Sequence, residues 1–179
     1  MTHCRTVAEV IQITGPLVKN TRGAVIVDGF DRSGKTTATR EIGHLLGLHT
    51  ISVDDFFYGK GRSYKDSIDL AALKDKVESA LKQSANVVIE GLCIRDIAVK
   101  LNIAICSSVY MMACSRATGH WLHGRLIAEA PTETQVEDAI SECRPLGGMY
   151  LNYLYRDLIE YHLREKPELT SNAALQITV

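Results

Sequence analysis

Gly29, Gly34, Lys35 and Thr36 stand at the spacing G-x-x-x-x-G-K-[ST], inside the stretch VIVDGFDRSGKTTATREIG. Glycine at the two ends of such a loop lets successive backbone N–H groups turn toward one anion, and a helix starting at the second glycine adds its positive end. Lys35 supplies a mobile cation for the outer phosphates of a nucleotide. The Thr36 hydroxyl stands where Mg²⁺ takes one of its few protein oxygens. Set between an apolar run and a helix-compatible segment, the motif assigns Gly29, Phe30, Asp31, Arg32, Ser33, Gly34, Lys35, Thr36 and the adjoining Thr37 to nucleotide binding, against the plainer alternative of a glycine-rich turn.

A phosphate loop serves switches and motors as well as transferases, so the acceptor side has to be found elsewhere. The segment HTISVDDFFYGKGRSY places two carboxylates, Asp54 and Asp55, at the end of an apolar run and follows them with Phe56 and Phe57. A carboxylate beside the terminal phosphate can take a proton from a hydroxyl, and aromatic faces can hold a ring; the competing reading has the aspartates capping a turn and the phenylalanines packed in the core. Adjacent residues leaving a strand point to opposite sides, so one aspartate of the pair should face the phosphate. A third run, NVVIEGLCIRD, ends in Glu90-Gly91, a carboxylate placed to hold a Mg²⁺-bound water or a substrate hydroxyl. Lys60, Arg62 and Lys65 fall in the loop beyond the aspartates, as acceptor contacts or simply as solvated charges.

These residues need strands that deliver them to one edge. Ala24–Asp28 is continuous and β-branched, as a strand buried on both faces should be, and further strands are expected at His49–Val53, Asn86–Glu90, Ser108–Ala113 and Ala173–Val179. Helices fit Thr36–Leu46, Asp69–Gln83 and Ile94–Leu101; Leu70, Leu73, Val77 and Leu81 form a stripe at spacings of three and four. A short leading helix over Thr6–Ile13 should end near Gly15-Pro16. After Ala113 the chain reads as mostly helical to Lys166, with breaks near Pro131 and at Arg144–Gly148. The alternation βαβαβαβ specifies an α/β fold, a three-layer α/β/α sandwich with ligands at the carboxyl ends of the strands, and no repeat or linker divides residues 1–179 into more than one domain.

The bulk properties agree with a small-molecule role. With 20 basic and 21 acidic residues and a formal charge of −1, the chain has no overall basic field to draw it to nucleic acid or an anionic membrane. Five scattered cysteines without a C-x-x-C argue against disulfides and zinc, and no run suggests a signal peptide or a membrane span, so a cytoplasmic setting is expected.

Taken together, GFDRSGKTT, VDDFF and VVIEG resemble the uridine kinase and nicotinamide riboside kinase group of P-loop kinases, over about residues 24–92, and YRDLIEYHLREKPELTSNAALQITV looks like that superfamily's terminal helix, proline and last strand. The resemblance implies a nucleoside/nucleotide kinase-like P-loop NTPase fold with a five-stranded parallel sheet in the order 2-3-1-4-5. It also implies ATP and Mg²⁺ as cofactors, Asp54 as the base toward a hydroxyl with Lys35 as its catalytic partner, and Glu90 as a ligand of Mg²⁺ or the sugar. Asp55, Phe56, Phe57 and Arg62 then line the acceptor side. Family members carry an arginine-rich lid helix after the fourth strand; here the lid is expected around 115–130, within the stretch CSRATGHWLHGRLIAEA (Cys114 to Ala130), with Arg116 and Arg125 as lid arginines and His120 and His123 where others are expected. The histidine pair lacks a third ligand at metal spacing and is read as polar surface; Trp121 is read as packing. The implied activity is transfer of the ATP γ-phosphate to a hydroxyl of a small molecule such as a nucleoside or ribosylated metabolite. The alternatives are a kinase of a vitamin precursor, sugar or antibiotic, or a silent nucleotide-binding regulatory module.

Overall fold

The structure, a computed structural model, describes residues 1–59, 63–121, 134 and 150–178. Its centre is a six-stranded sheet of β1 (Thr2–Cys4), β2 (Gly23–Gly29), β3 (His49–Ser52), β4 (Asn86–Glu90), β5 (Ile105–Cys114) and β6 (Ala173–Thr178). All pairings are parallel and the order is β1-β6-β5-β2-β4-β3. This corrects the expectation of five strands in the order 2-3-1-4-5: a sixth strand opens the chain and pairs Thr2, His3 and Cys4 with Ala173, Ala174 and Leu175. Three residues, only one of them buried, are too short for a hydrophobic period to reveal.

β2 shows why the fold has three layers. Every residue of β2 is buried. Ala24 and Ile26 face one side of the sheet, where Leu73 and Val77 of α3 (Leu70–Gln83), Ile94 and Ile97 of α4 (Ile94–Lys100) and Leu158 of α5 (Tyr150–Glu165) pack with them. Val25 and Val27 face the other, against Val10 and Val18 of α1 (Val7–Asn20) and Ala38 and Ile42 of α2 (Lys35–Leu46). A strand that buries both faces cannot alternate polar and apolar residues, hence the unbroken run.

α1 runs past Gly15-Pro16, where termination was expected. Proline removes one N–H to the carbonyl of Gln12 without ending the helix, and the carbonyls of the last turn are met by Asn20 Nδ2 donating to that of Pro16 at 2.9 Å and Thr21 Oγ1 to that of Leu17 at 2.7 Å, with Val18 buried beneath. Beyond β5, residues 115–121 fold back as a turn in which Ser115 N–H donates to the His120 carbonyl at 2.9 Å and Cys114 bridges Trp121. The helical reading does not hold there. The rest of the 115–130 lid and the breaks at Pro131 and 144–148 lie outside the described residues, as does Val179. After α5, a single-turn helix α6 (Pro167–Thr170) leads into β6. Among the described residues no helix is long and apolar enough to cross a membrane.

Candidate active site

Between β2 and α2 the chain forms the loop that the glycines announce. Gly29 has φ +145° and Gly34 φ +78°; a Cβ would meet the Met111 carbonyl oxygen at 2.9 Å in the first case and Ile177 Cδ1 at 2.7 Å in the second. Gly29 is therefore needed for conformation and for space, since it faces backbone, and Gly34 for conformation, since the Ile177 methyl can move aside. Gly34 makes no side-chain cap at the start of α2, which leaves the first-turn amides directed at the loop's interior. Phe30 and Ser33 are buried, Asp31 and Arg32 reach solvent and pair at 3.8 Å, and Thr36 and Thr37 are exposed at the helix start.

Lys35 is buried, with Nζ donating to the Phe30 carbonyl at 2.7 Å. Burial pulls its pKa below the ordinary lysine value, while the carboxylates of Glu90, Asp28, Asp54 and Asp31 pull the other way.

β4 is hydrogen-bonded between β2 and β3, which brings Glu90 at the end of β4 beside Ser52 at the end of β3 and Thr36 at the start of α2. Glu90, at the end of β4, is buried; its Oε1 accepts from Thr36 Oγ1 at 3.0 Å and from Ser52 Oγ at 2.7 Å. Its Oε2 is buried and has no hydrogen-bond partner among the described residues. A buried carboxylate oxygen without a donor calls for a cation or water. Ser52, the last residue of β3, is the member of this cluster that residue spacing did not single out.

Asp54 sits in a 3-10 turn, Val53–Phe56, rather than on a strand end. β3 stops at Ser52, one residue before the expected Val53, because the chain turns as soon as it passes the sheet edge. At three residues per turn the side chains of Asp54 and Asp55 diverge by about 120° rather than pointing to opposite sides. Asp54 Oδ1 accepts from the Tyr64 hydroxyl at 2.5 Å. Asp55 is exposed. Phe56 packs against the core, whereas Phe57 is 45% exposed and stacks on Tyr64, centroids 5.6 Å apart. Arg116 is exposed on the turn after β5; Lys60, Arg62, His123 and Arg125 lie outside the described residues. Trp121 packs edge-on against Tyr110 at 5.8 Å. Lys65, read as an acceptor contact or a solvated charge, instead bonds Asp96 Oδ2 at 2.9 Å, and Arg164 of α5 bonds Asp96 Oδ1 at 2.6 Å. Burial alone would raise the Asp96 carboxyl, but these two cations hold it below its ordinary value.

Behind the loop lies a polar cluster that motif reasoning missed. Asp28, the last side chain of β2 before Gly29, is fully buried; Oδ1 accepts the Gly29 N–H at 2.8 Å and Oδ2 the hydroxyl of Tyr161 from α5. Burial pushes the carboxyl up to about 6, against the pull of Tyr161, Gly29, Arg95 and Lys35. Next to Tyr161, His162 stacks on Phe30 at 4.3 Å. Its Nδ1 faces the Leu158 carbonyl at 2.7 Å, which can only accept, so Nδ1 carries a proton, while Nε2 is hydrogen-bonded to the Tyr110 hydroxyl at 2.9 Å. α5 thus braces the phosphate loop through Asp28 and Phe30. An aspartate ending an otherwise apolar strand and a Tyr-His pair on a late helix were the available signals.

No family model matches the chain, and no curated protein does. Among solved structures, one described as "a possible uridine kinase" from Bacillus stearothermophilus aligns over 93% of this chain and 99% of its own, at 16% identity and TM-score 0.50. A sugar kinase from Janibacter sp. aligns over 89% and 84%, also at 16% identity, with TM-score 0.38. The chain has a kinase-like α/β fold.

Proposed function

We propose that the protein is an ATP- and Mg²⁺-dependent phosphotransferase that moves the γ-phosphate to a hydroxyl of a small molecule, with Asp54 as general base. The observation that carries this reading is the cluster Thr36–Glu90–Ser52 beside the buried Lys35, with Glu90 Oε2 unpartnered. That donor set fits Mg²⁺: hard oxygens, few from the protein, next to a phosphate loop. Thr36 and Glu90 would hold the ion, directly or through water, and bound Mg²⁺ would neutralise charge developing on the β- and γ-phosphate oxygens.

The chain's own residues supply the rest. Loop amides and Lys35 hold the phosphates in line. Asp54, whose charge acts on Lys35, accepts the acceptor's hydroxyl proton as the new O–P bond forms; the bond from phosphorus to the β–γ bridging oxygen breaks and ADP leaves with that electron pair. The half-exposed Phe57 offers an apolar face beside the base, in keeping with an acceptor that carries a ring. The description of the similar bacterial structure as a possible uridine kinase is compatible with a nucleoside-like acceptor. The test is ADP release from ATP over a panel of nucleosides, ribosides, sugars and vitamin alcohols. Acceptor-dependent release that Asp54→Asn abolishes supports the proposal; nucleotide-induced stabilisation without release on any acceptor would make the chain a nucleotide-binding module instead.

A further inference from the structure

A general base must present one oxygen in a fixed direction; Asp54 is exposed on a single 3-10 turn whose backbone is fixed by Phe57 N–H to the Asp54 carbonyl and Asp69 N–H to the Phe56 carbonyl, bonds that leave the carboxylate itself free to rotate. Its constraint comes from Tyr64, ten residues on. The Tyr64 hydroxyl donates to Asp54 Oδ1 at 2.5 Å, and the backbone amide of Leu92, two residues after Glu90, interacts with the same hydroxyl. Tyr64 is only 6% exposed, its ring lies nearly parallel to that of Phe57 (18°), and its backbone N–H donates to Asp157 Oδ2 of α5 at 2.7 Å. The neighbouring Lys65–Asp96–Arg164 bonds fasten the same segment to α4 and α5. The phenol therefore sits on a rigid mount and touches the carboxylate with one atom.

We infer that Tyr64 is the positioning residue of the phosphoryl-transfer step, its hydroxyl holding Asp54 Oδ1 so that Oδ2 is turned to the acceptor hydroxyl. The inference rests on the function proposed above and adds to it a residue that no motif contains. Among the described residues no hydrogen bond falls on Asp54 Oδ2, which leaves that oxygen for the acceptor's proton. Burial, followed by the Asp54 charge and the hydrogen bond to it, raises the Tyr64 phenol far above its ordinary value, so it stays a donor at every pH at which the enzyme would work. Its part is to hold the carboxylate, as a donor to Oδ1.

Tyr64→Phe keeps the ring, the stacking on Phe57 and the backbone bond to Asp157 while deleting the one contact in question. ADP release is measured for wild type, Tyr64→Phe, Asp54→Asn and the double variant, with the best acceptor of the panel and with water alone, alongside denaturation midpoints. The expected result is a kcat lower by about 10- to 100-fold, the worth of one hydrogen bond to a charged group, with the KM for ATP unchanged. In the Asp54→Asn background the same substitution should cost nothing further, since the base it positions is gone. Full turnover in Tyr64→Phe beside an inactive Asp54→Asn overturns the inference and leaves the proposed function standing. Equal losses in both backgrounds, or a lower denaturation midpoint with unchanged turnover per folded molecule, also overturn it by making Tyr64 merely structural. Full turnover in Asp54→Asn removes the proposed base, and the role of Tyr64 with it.

Discussion

Asp28 makes the folded protein less stable as the solution leaves mildly acid pH, and the size of that effect can be worked out. When folded, its carboxyl titrates at about 6 because burial disfavours the charge; the ordinary value is 3.8. Below 3.8 it is protonated in both states and above 6 ionised in both. Between the two, the folded state keeps a proton that the unfolded chain has released. Stability therefore falls as pH rises through that window, by about 1.36 kcal/mol per pH unit and about 3 kcal/mol in all. Asp28→Asn retains an oxygen for the Gly29 N–H and cannot ionise. The groups facing Asp28 are Tyr161 from α5, Arg95 from α4, Lys35 from α2 and, more distantly, Tyr110 and Cys93. None of these titrates between pH 4 and 6.5 in its ordinary state, so they do not mask the slope. Asp157 and Glu168, both raised by burial, add slope of the same sign to both proteins and cancel in the difference. Urea unfolding at pH 4.5, 5.5, 6.5 and 7.5 should show wild type losing stability relative to Asp28→Asn across the series. Parallel pH profiles for the two proteins would refute the reasoning and mean that Asp28 is ionised throughout or solvated by an interaction not counted.

Three further outcomes are expected. Lys35→Ala should unfold at or above the wild-type temperature without nucleotide, because a desolvated ammonium is removed, but should lose the stabilisation by ATP and Mg²⁺, about 2.7 kcal/mol at a hundredfold excess over Kd; thermal melts with and without nucleotide read both. Glu90→Gln should raise the Mg²⁺ concentration needed for half-maximal nucleotide stabilisation while leaving the metal-free fold at least as stable, since the orphaned Oε2 charge disappears; an unchanged Mg²⁺ titration counts against Glu90 as a ligand. Gly34→Ala should cost about 1–3 kcal/mol by urea unfolding and abolish nucleotide stabilisation, because φ +78° opposes a Cβ; wild-type stability in this variant would mean that the loop relaxes freely.

The parts of the fold legible in the sequence are those with a repeating physical signal. β2 and β4 are buried on both faces and therefore appear as unbroken apolar runs, and α3 shows its buried stripe at Leu73 and Val77. Where the deciding interaction is a side chain reaching backbone, the signal vanishes. Asn20 and Thr21 close the end of α1 by bonding carbonyls four residues back, and nothing in hydrophobic spacing encodes that. β1 is legible only through its partner β6, a pairing some 170 residues away in the chain.

The site divides along the same line. Gly29, Gly34, Lys35 and Thr36 are readable because a single loop must do several jobs at fixed offsets, and Glu90 because a carboxylate ending a buried strand is costly unless something binds it. Asp54 could be placed at the site edge but not oriented, since its direction depends on a 3-10 turn and on Tyr64. Tyr64, Tyr161 and His162 stayed hidden because an aromatic residue on a helix or loop looks the same whether it packs or aims a hydroxyl. What separates the two is the partner, Asp54 for Tyr64, Asp28 for Tyr161 and Tyr110 for His162, and each partner lies on another element. Residues that touch phosphate must satisfy a ligand of constant shape and so recur as a pattern, whereas residues that aim them need satisfy only this chain's packing. For that reason Tyr64→Phe, a change that spacing alone would rank as harmless, should be among the most damaging single-atom deletions outside the phosphate loop.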